Sequence, residues 1–168
     1  MRSILTISLL MSALIASPAM AQRGRGAPHG SEIAAKAKAT RFDRSNVGEG
    51  VFQGQRMAMT PANLKGVASS LDDIKAGQVV GVLENGAAGD ETGLPPGRYN
   101  LYVAYVDGQW QGYAEAGGQI VSPAIRAIVS EQPVAARAPQ FHEQGWCFFV
   151  SWQQLGLLWL PGGIYLCF

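Results

Sequence analysis

Histidine and cysteine each occur only twice in the 168-residue chain, and that scarcity removes most catalytic chemistry at once. His29 stands in a Gly/Arg/Pro-rich stretch. His142 precedes Glu143 in FHEQGW, without the second histidine four residues on that a zinc hydrolase motif needs. No serine sits in a G-x-S-x-G elbow. Gly86, Gly89 and Gly93 are not followed by Gly-Lys-Ser/Thr and fit no dinucleotide fingerprint, so no phosphate cradle is expected. Glu84, Asp90 and Glu91 crowd one loop, but they lack the alternating acids of a calcium loop, and a solvated turn is the stronger reading. No cofactor and no metal is expected, and the chain reads as non-catalytic. Charge is sparse too. Charged residues make up 15% of the chain, 13 basic against 12 acidic, which excludes the sustained basic face of a nucleic-acid binder.

What is present begins with a compartment signal. Arg2, the apolar run Ile4–Ala16 and the small residues Ala19 and Ala21 form the three parts of a secretory signal peptide, with cleavage expected after Ala21. The run is shorter than the ~20 residues a spanning helix needs. The protein is therefore expected to be exported, to a periplasmic or extracellular location. Residues 22–46 read as a basic linker: Arg23, Arg25, Lys36, Lys38, Arg41 and Arg44 face only Glu32 and Asp43. QRGRGAPHG offers nothing apolar to offset the entropy of ordering. The following SEIAAKAKATR predicts a short helix from Ser31, marginal by itself and burying little except Ile33.

Residues 47–137 read as a β-rich domain. Within them TPANLKGVASSLDDIKAG predicts a helix capped by Thr60 and stopped by Gly77, with two short strands as the alternative. QVVGVLE predicts a buried strand. Asp107-Gly108 predicts a type I′ hairpin, because both central residues of that turn need positive φ. The turn fixes the register, setting Val106 opposite Gln109, Tyr105 opposite Trp110, Val103 opposite Gly112 and Tyr102 opposite Tyr113. Gly112 leaves room for something to approach. AGGQ predicts a second turn, a return through Gln119–Ser122, an interruption at Pro123 and a further strand in AIRAIVSE. The stretch LPPGRYNLYV is similar to the Pro-Gly-x-Tyr strand openings of immunoglobulin-like and carboxypeptidase-regulatory-like sandwiches, a likeness confined to Leu94–Val103 that implies no function. The fold class expected is mainly β: an antiparallel meander in a small sandwich-like or α+β domain with one covering helix, behind a disordered N-terminal arm.

Alternation puts Asn100, Tyr102, Gln109, Gln111, Tyr113 and Glu115 on one face of the hairpin. Flat rings ringed by amides and an acid suit sugar rings or a protein partner, so this is the candidate ligand face; an ordinary covered aromatic pair is the alternative.

Residues 138–168 are apolar and aromatic, with Glu143 as their only charge. Cys147 and Cys167 form a candidate disulfide in an oxidising compartment, and two buried thiols are the alternative. The segment 146–168 admits three readings: membrane association, buried strands, or an altered carboxyl end. Gln153, Gln154, Pro161, Gly162 and Gly163 interrupt any span. As strands, a turn at Gly162–Gly163 would set Trp159 opposite Leu166 and Leu158 opposite Cys167, and the lack of alternation requires both faces to be covered. The functional expectation is a non-catalytic binding protein of the cell envelope, with polysaccharide or another envelope protein as partner. A membrane-associated protein using the tail comes second, and a hydrolase centred on His142 and Glu143 third.

Overall fold

The computed structural model describes residues 26–52, 54–86, 94–121, 125–133 and 137–168. The signal-like segment 1–21, Asp90, Glu91 and Pro123 lie outside the described residues.

The hairpin forms with the register its turn dictates. Strands β5 (Gly97–Val106) and β6 (Gln109–Ala116) pair from Val106↔Gln109 through Tyr102↔Tyr113 to Asn100↔Glu115. Asp107 and Gly108 both take positive φ, 50° and 80°. The second turn returns the chain as β7 (Gln119–Ile120), and β8 (Ile125–Ser130) then takes over the same edge of β6. The vacancy beside Gly112 is filled by Ile125, whose Cβ lies 3.1 Å from where a Cβ on Gly112 would stand.

On the other side of β5, β4 (Gln78–Asn85) pairs antiparallel, and β3 (Gln55–Asn63) pairs with β4. Here the expected helix from Thr60 does not form. Thr60 and Pro61 lie within β3, where Met57 and Met59 alternate into the core with a period of two. Gly66, at φ 79°, breaks the helical stripe, and Val67 stays 57% exposed. The helix that does form is one short piece, α2 (Leu71–Lys75), started by a reciprocal capping box between Ser70 and Asp73. One edge of β3 is shared by β1 (Arg41–Phe42) and β2 (Gly48–Phe52).

The apolar carboxyl segment supplies two interior strands near one end of the sheet. β10 (Cys147–Ser151) and β11 (Gly163–Cys167) pair from Cys147↔Cys167 to Ser151↔Gly163. β8 flanks β11 and β9 (Gln140–His142) flanks β10. The sheet therefore runs β1-β3-β4-β5-β6-β8-β11-β10-β9, antiparallel throughout. The expected turn at Gly162–Gly163 is corrected. Trp159 is not opposite Leu166, nor Leu158 opposite Cys167, because β8 and the cysteine pair set a register that spends residues 152–162 on the connection. The expected disulfide is present between Cys147 and Cys167.

The sheet curls until β2 meets the β9 side. A Cβ on Gly48 would overlap the Pro139 carbonyl, and one on Gly50 would overlap the Phe141 ring, so glycine alone permits this seam. Inside, Met57, Met59, Leu64, Leu83, Leu101, Phe148, Trp152 and Leu155 are fully buried, so the described interior is packed with side chains. β10 is buried along its whole length, as its lack of alternation requires. Among the described residues no helix is long and apolar enough to cross a membrane.

A second, smaller core lies outside the sheet. Helix α1 (Gly30–Ala39) lays Ile33 and Ala37 over Val79, Tyr102, Ala104, Val106 and Tyr113. Residues 30–39 are thus a docked covering helix rather than part of a flexible linker. Burying the Ile33 side chain is worth about 2 kcal/mol, enough to offset the marginal stability of ten residues of isolated helix. Lys36 adds a tether, donating from Nζ to the Gly77 carbonyl at 2.6 Å.

Candidate functional site

The six residues of the expected ligand face do come together on the hairpin, but α1 lies over part of them. Tyr102 and Tyr113 oppose each other with ring centroids 6.3 Å apart, and they are 2% and 5% exposed. The Lys36 ammonium sits 5.5 Å from the Tyr102 ring centroid. Glu115 is buried, accepting from Asn100 Nδ2 at 2.7 Å and from the Gly118 N–H at 2.6 Å. The Tyr113 hydroxyl donates to Gln111 Oε1 at 2.6 Å. Burial pushes the Tyr113 phenol up from its ordinary value, and the Asp107 carboxylate adds to that shift. Gln109 alone of the six is exposed. These groups satisfy one another, so the face as described is a helix-docking surface.

An open concave surface lies on the outer faces of β2–β5. It is a groove of about 800 Å³ whose floor comes from alternate outward residues: Ala58 and Thr60 of β3, Val82 and Glu84 of β4, and Arg98 of β5. The register explains their convergence, since Glu49 pairs with Ala58, Ala58 with Glu84, and Glu84 with Arg98 across four consecutive strands. One wall is the end of β1 with the turn that follows it: Phe42 on the strand, then Arg44 and Val47. Asp43 shapes that turn. Its carboxylate accepts from the Ser45 hydroxyl and from Asn46 Nδ2, and its N–H donates to the Pro61 carbonyl at 2.9 Å. The Ser45 hydroxyl first, then the Asn46 amide and the Ser45 N–H, hold the Asp43 carboxyl below its ordinary range. The opposite wall is anchored by buried Asn85, whose Nδ2 donates to the Leu94 carbonyl at 3.0 Å.

Three arginines line this groove, each in a different setting. Arg56 is ion-paired with Glu49 on the neighbouring strand. Arg98 has Glu84 as its cross-strand neighbour. Arg44 stands on the turn. Among the described residues, neither Arg44 nor Arg98 has an ion pair. A planar guanidinium presents parallel N–H donors that match a carboxylate, so the groove suits a ligand bearing acidic groups on a polar frame. Among the described residues no histidine or cysteine lines it, and Thr60 is the one that bears a hydroxyl. His142 instead stacks on Tyr165 with ring centroids 5.6 Å apart, and neither it nor Glu143 reaches the groove. Among the described residues no cluster of three His, Cys, Asp or Glu side chains could hold a metal ion.

Sequence reasoning missed this groove because its residues come from positions 42 to 98 and share no local motif. The one available signal was the alternation of the strands once their pairing is known. No protein-family model, no curated protein and no solved structure matches the chain. The functional reading therefore rests on its own chemistry.

Proposed function

We propose that the protein is an exported, non-catalytic binding protein of the cell envelope, periplasmic or extracellular, which takes an acidic polysaccharide in the groove across β2–β5. The observation that carries the reading is the set of Arg44, Arg56 and Arg98 around Ala58, Thr60 and Val82, with Glu49 taken up by Arg56, Glu84 beside Arg98, and the Phe42 ring at the edge. Guanidinium forks recognise carboxylates, and an aromatic edge receives the flat face of a sugar. An open groove admits a segment of polymer rather than enclosing a small molecule. The Cys147–Cys167 disulfide fits an oxidising compartment, and the signal-like residues 1–21 fit export.

The test is binding of polygalacturonate, with neutral dextran as control, to wild type and to Arg44→Ala and Arg98→Ala variants, by calorimetry at low and high salt. The wild type is expected to bind the polyuronate and not dextran, with affinity falling as salt rises. Each substitution removes charge-assisted hydrogen bonds of about 1.5–3 kcal/mol, a loss of roughly tenfold or more. Equal binding by both variants, or none by the wild type, refutes the groove. Release of new reducing ends from the polymer refutes the non-catalytic half of the reading.

A further inference from the structure

The connection between β10 and β11 presents two large apolar side chains to solvent where nothing in the fold asks for them. Leu158 and Trp159 are 69% and 61% exposed. They occupy the two central positions of a β-turn closed by the Leu160 N–H on the Leu157 carbonyl at 3.1 Å. Such positions normally go to Pro, Asn, Asp or Gly, for conformational and solvation reasons that Leu and Trp do not share.

The turn is also held firmly. Trp152, Leu155 and Leu157 anchor the loop in the core. The Trp152 N–H donates to the Gly162 carbonyl at 3.0 Å, the Leu157 N–H to the Trp152 carbonyl at 2.9 Å, and the Leu64 N–H to the Leu155 carbonyl at 2.7 Å. Ser151 and Gln154 exchange hydrogen bonds at the base, Ser151 N–H to Gln154 Oε1 at 2.9 Å and Gln154 N–H to Ser151 Oγ at 3.1 Å. A shallow depression of about 460 Å³ flanks the tip, and among the described residues its lining, which includes Pro133, Gln153, Leu160 and Pro161, holds no ionisable side chain.

We propose that the Leu158–Trp159 turn is a lipid-contacting tip that dips into the interfacial region of a phospholipid bilayer. Shape and area decide between occupants. A stable protein interface buries about 800 Å² per partner, whereas a large aromatic side chain buries only about 150–250 Å², so two side chains on a convex turn fall well short. A fluid bilayer needs no complementary shape and closes around any convex apolar tip. Tryptophan is the residue suited to that depth, with an apolar ring and one N–H for the headgroup region. The lining of the depression can descend without stripping water from an ion, and exposed Glu131 beside Gly162 marks where charge begins and limits the depth to a shallow one. One short tip gives weak, reversible association, the regime in which a second attachment is needed for stable anchoring. This role stands apart from the groove and does not depend on it.

The experiment is co-sedimentation of the full chain with vesicles of phosphatidylcholine alone and with added phosphatidylglycerol, comparing wild type, Leu158→Ser/Trp159→Ser and Trp159→Tyr. Both changed positions are solvent-exposed, and an unchanged thermal unfolding curve checks that the fold is retained. The wild type is expected to partition onto both vesicle types, the double variant to bind at least about tenfold more weakly, and Trp159→Tyr to keep most of the binding. No sedimentation with either vesicle overturns the proposal, as does equal binding by the double variant. Binding to the anionic vesicles alone that salt abolishes would assign the contact to charge and overturn it too. Concentration-dependent self-association without vesicle binding, lost in the double variant, would give the tip to a second copy of the chain and overturn the lipid role.

Discussion

Replacing Ile33 by alanine separates a docked α1 from a solvated spacer. Ile33 is fully buried between the helix and the outer face of β4–β6, and Ala37 is the other buried residue that α1 contributes. Deleting a fully buried isoleucine to alanine costs about 2–5 kcal/mol when the site cannot collapse. Here the cost has a ceiling. Once it exceeds the docking energy of α1, the helix leaves the sheet and the remaining curled sheet bears no further penalty, so a value near the low end, about 2 kcal/mol, is expected. Two assays read the two regimes. Urea unfolding followed by tryptophan fluorescence reports the global loss. Limited trypsin digestion reports undocking, because Lys36 and Lys38 lie on the helix and Lys36 is tied to Gly77 in the docked state. Ile33→Ala should cut the time for cleavage at these lysines by an order of magnitude or more. Undocking would also uncover Tyr102 and Tyr113. An unchanged unfolding midpoint together with an unchanged cleavage rate would refute the docked helix, since surface changes on a free segment stay within about 0.5 kcal/mol.

Other consequences are equally direct. Cys147→Ala/Cys167→Ala opens a bridge of sequence separation 20 and, by the chain-entropy argument, should lower stability by about 3 kcal/mol in denaturant while leaving the circular dichroism of the sheet intact. Collapse of the β-sheet signal would mean that the disulfide, not strand pairing, holds β10 and β11. Because burial raises the Tyr113 phenol above its ordinary value, the native state keeps that proton where the unfolded chain has lost it. Stability should therefore be full below pH ~10 and fall as pH rises through the folded value. Tyr113→Phe should flatten that alkaline loss, and an unaltered alkaline profile would count against the shift.

The parts of the fold legible in the sequence were those fixed by local chemistry. Asp107-Gly108 set one register, and every pair in β5–β6 followed from it. The lack of alternation in Cys147–Ser151 announced a strand covered on both faces, which it is. Where the sequence misled, a tertiary partner outweighed a local signal. Thr60 and Pro61 look like a helix start, yet β4 recruits them into β3. Gly162–Gly163 looks like a hairpin turn, yet pairing with β8 moves the reversal eleven residues wide, across 152–162. The Tyr102/Tyr113 face was found correctly as a face, but alternation cannot say what covers it. A helix of low intrinsic stability, which ends at Ala39 long before β4 begins at Gln78, covers it here. The groove was invisible for the opposite reason: Arg44, Arg56, Glu84 and Arg98 have no meaning together until four strands are aligned.

The ligand is proposed to lie on the outer face of β2–β5, a placement that amide chemical-shift mapping of the isotopically labelled protein during titration with a galacturonate oligomer can check. On that placement, perturbations concentrate at Phe42, Arg44, Arg56, Glu84 and Arg98, with Tyr102, Tyr113 and the amides of α1 unmoved. Shifts centred on α1 and Tyr102/Tyr113, with the groove silent, would contradict it.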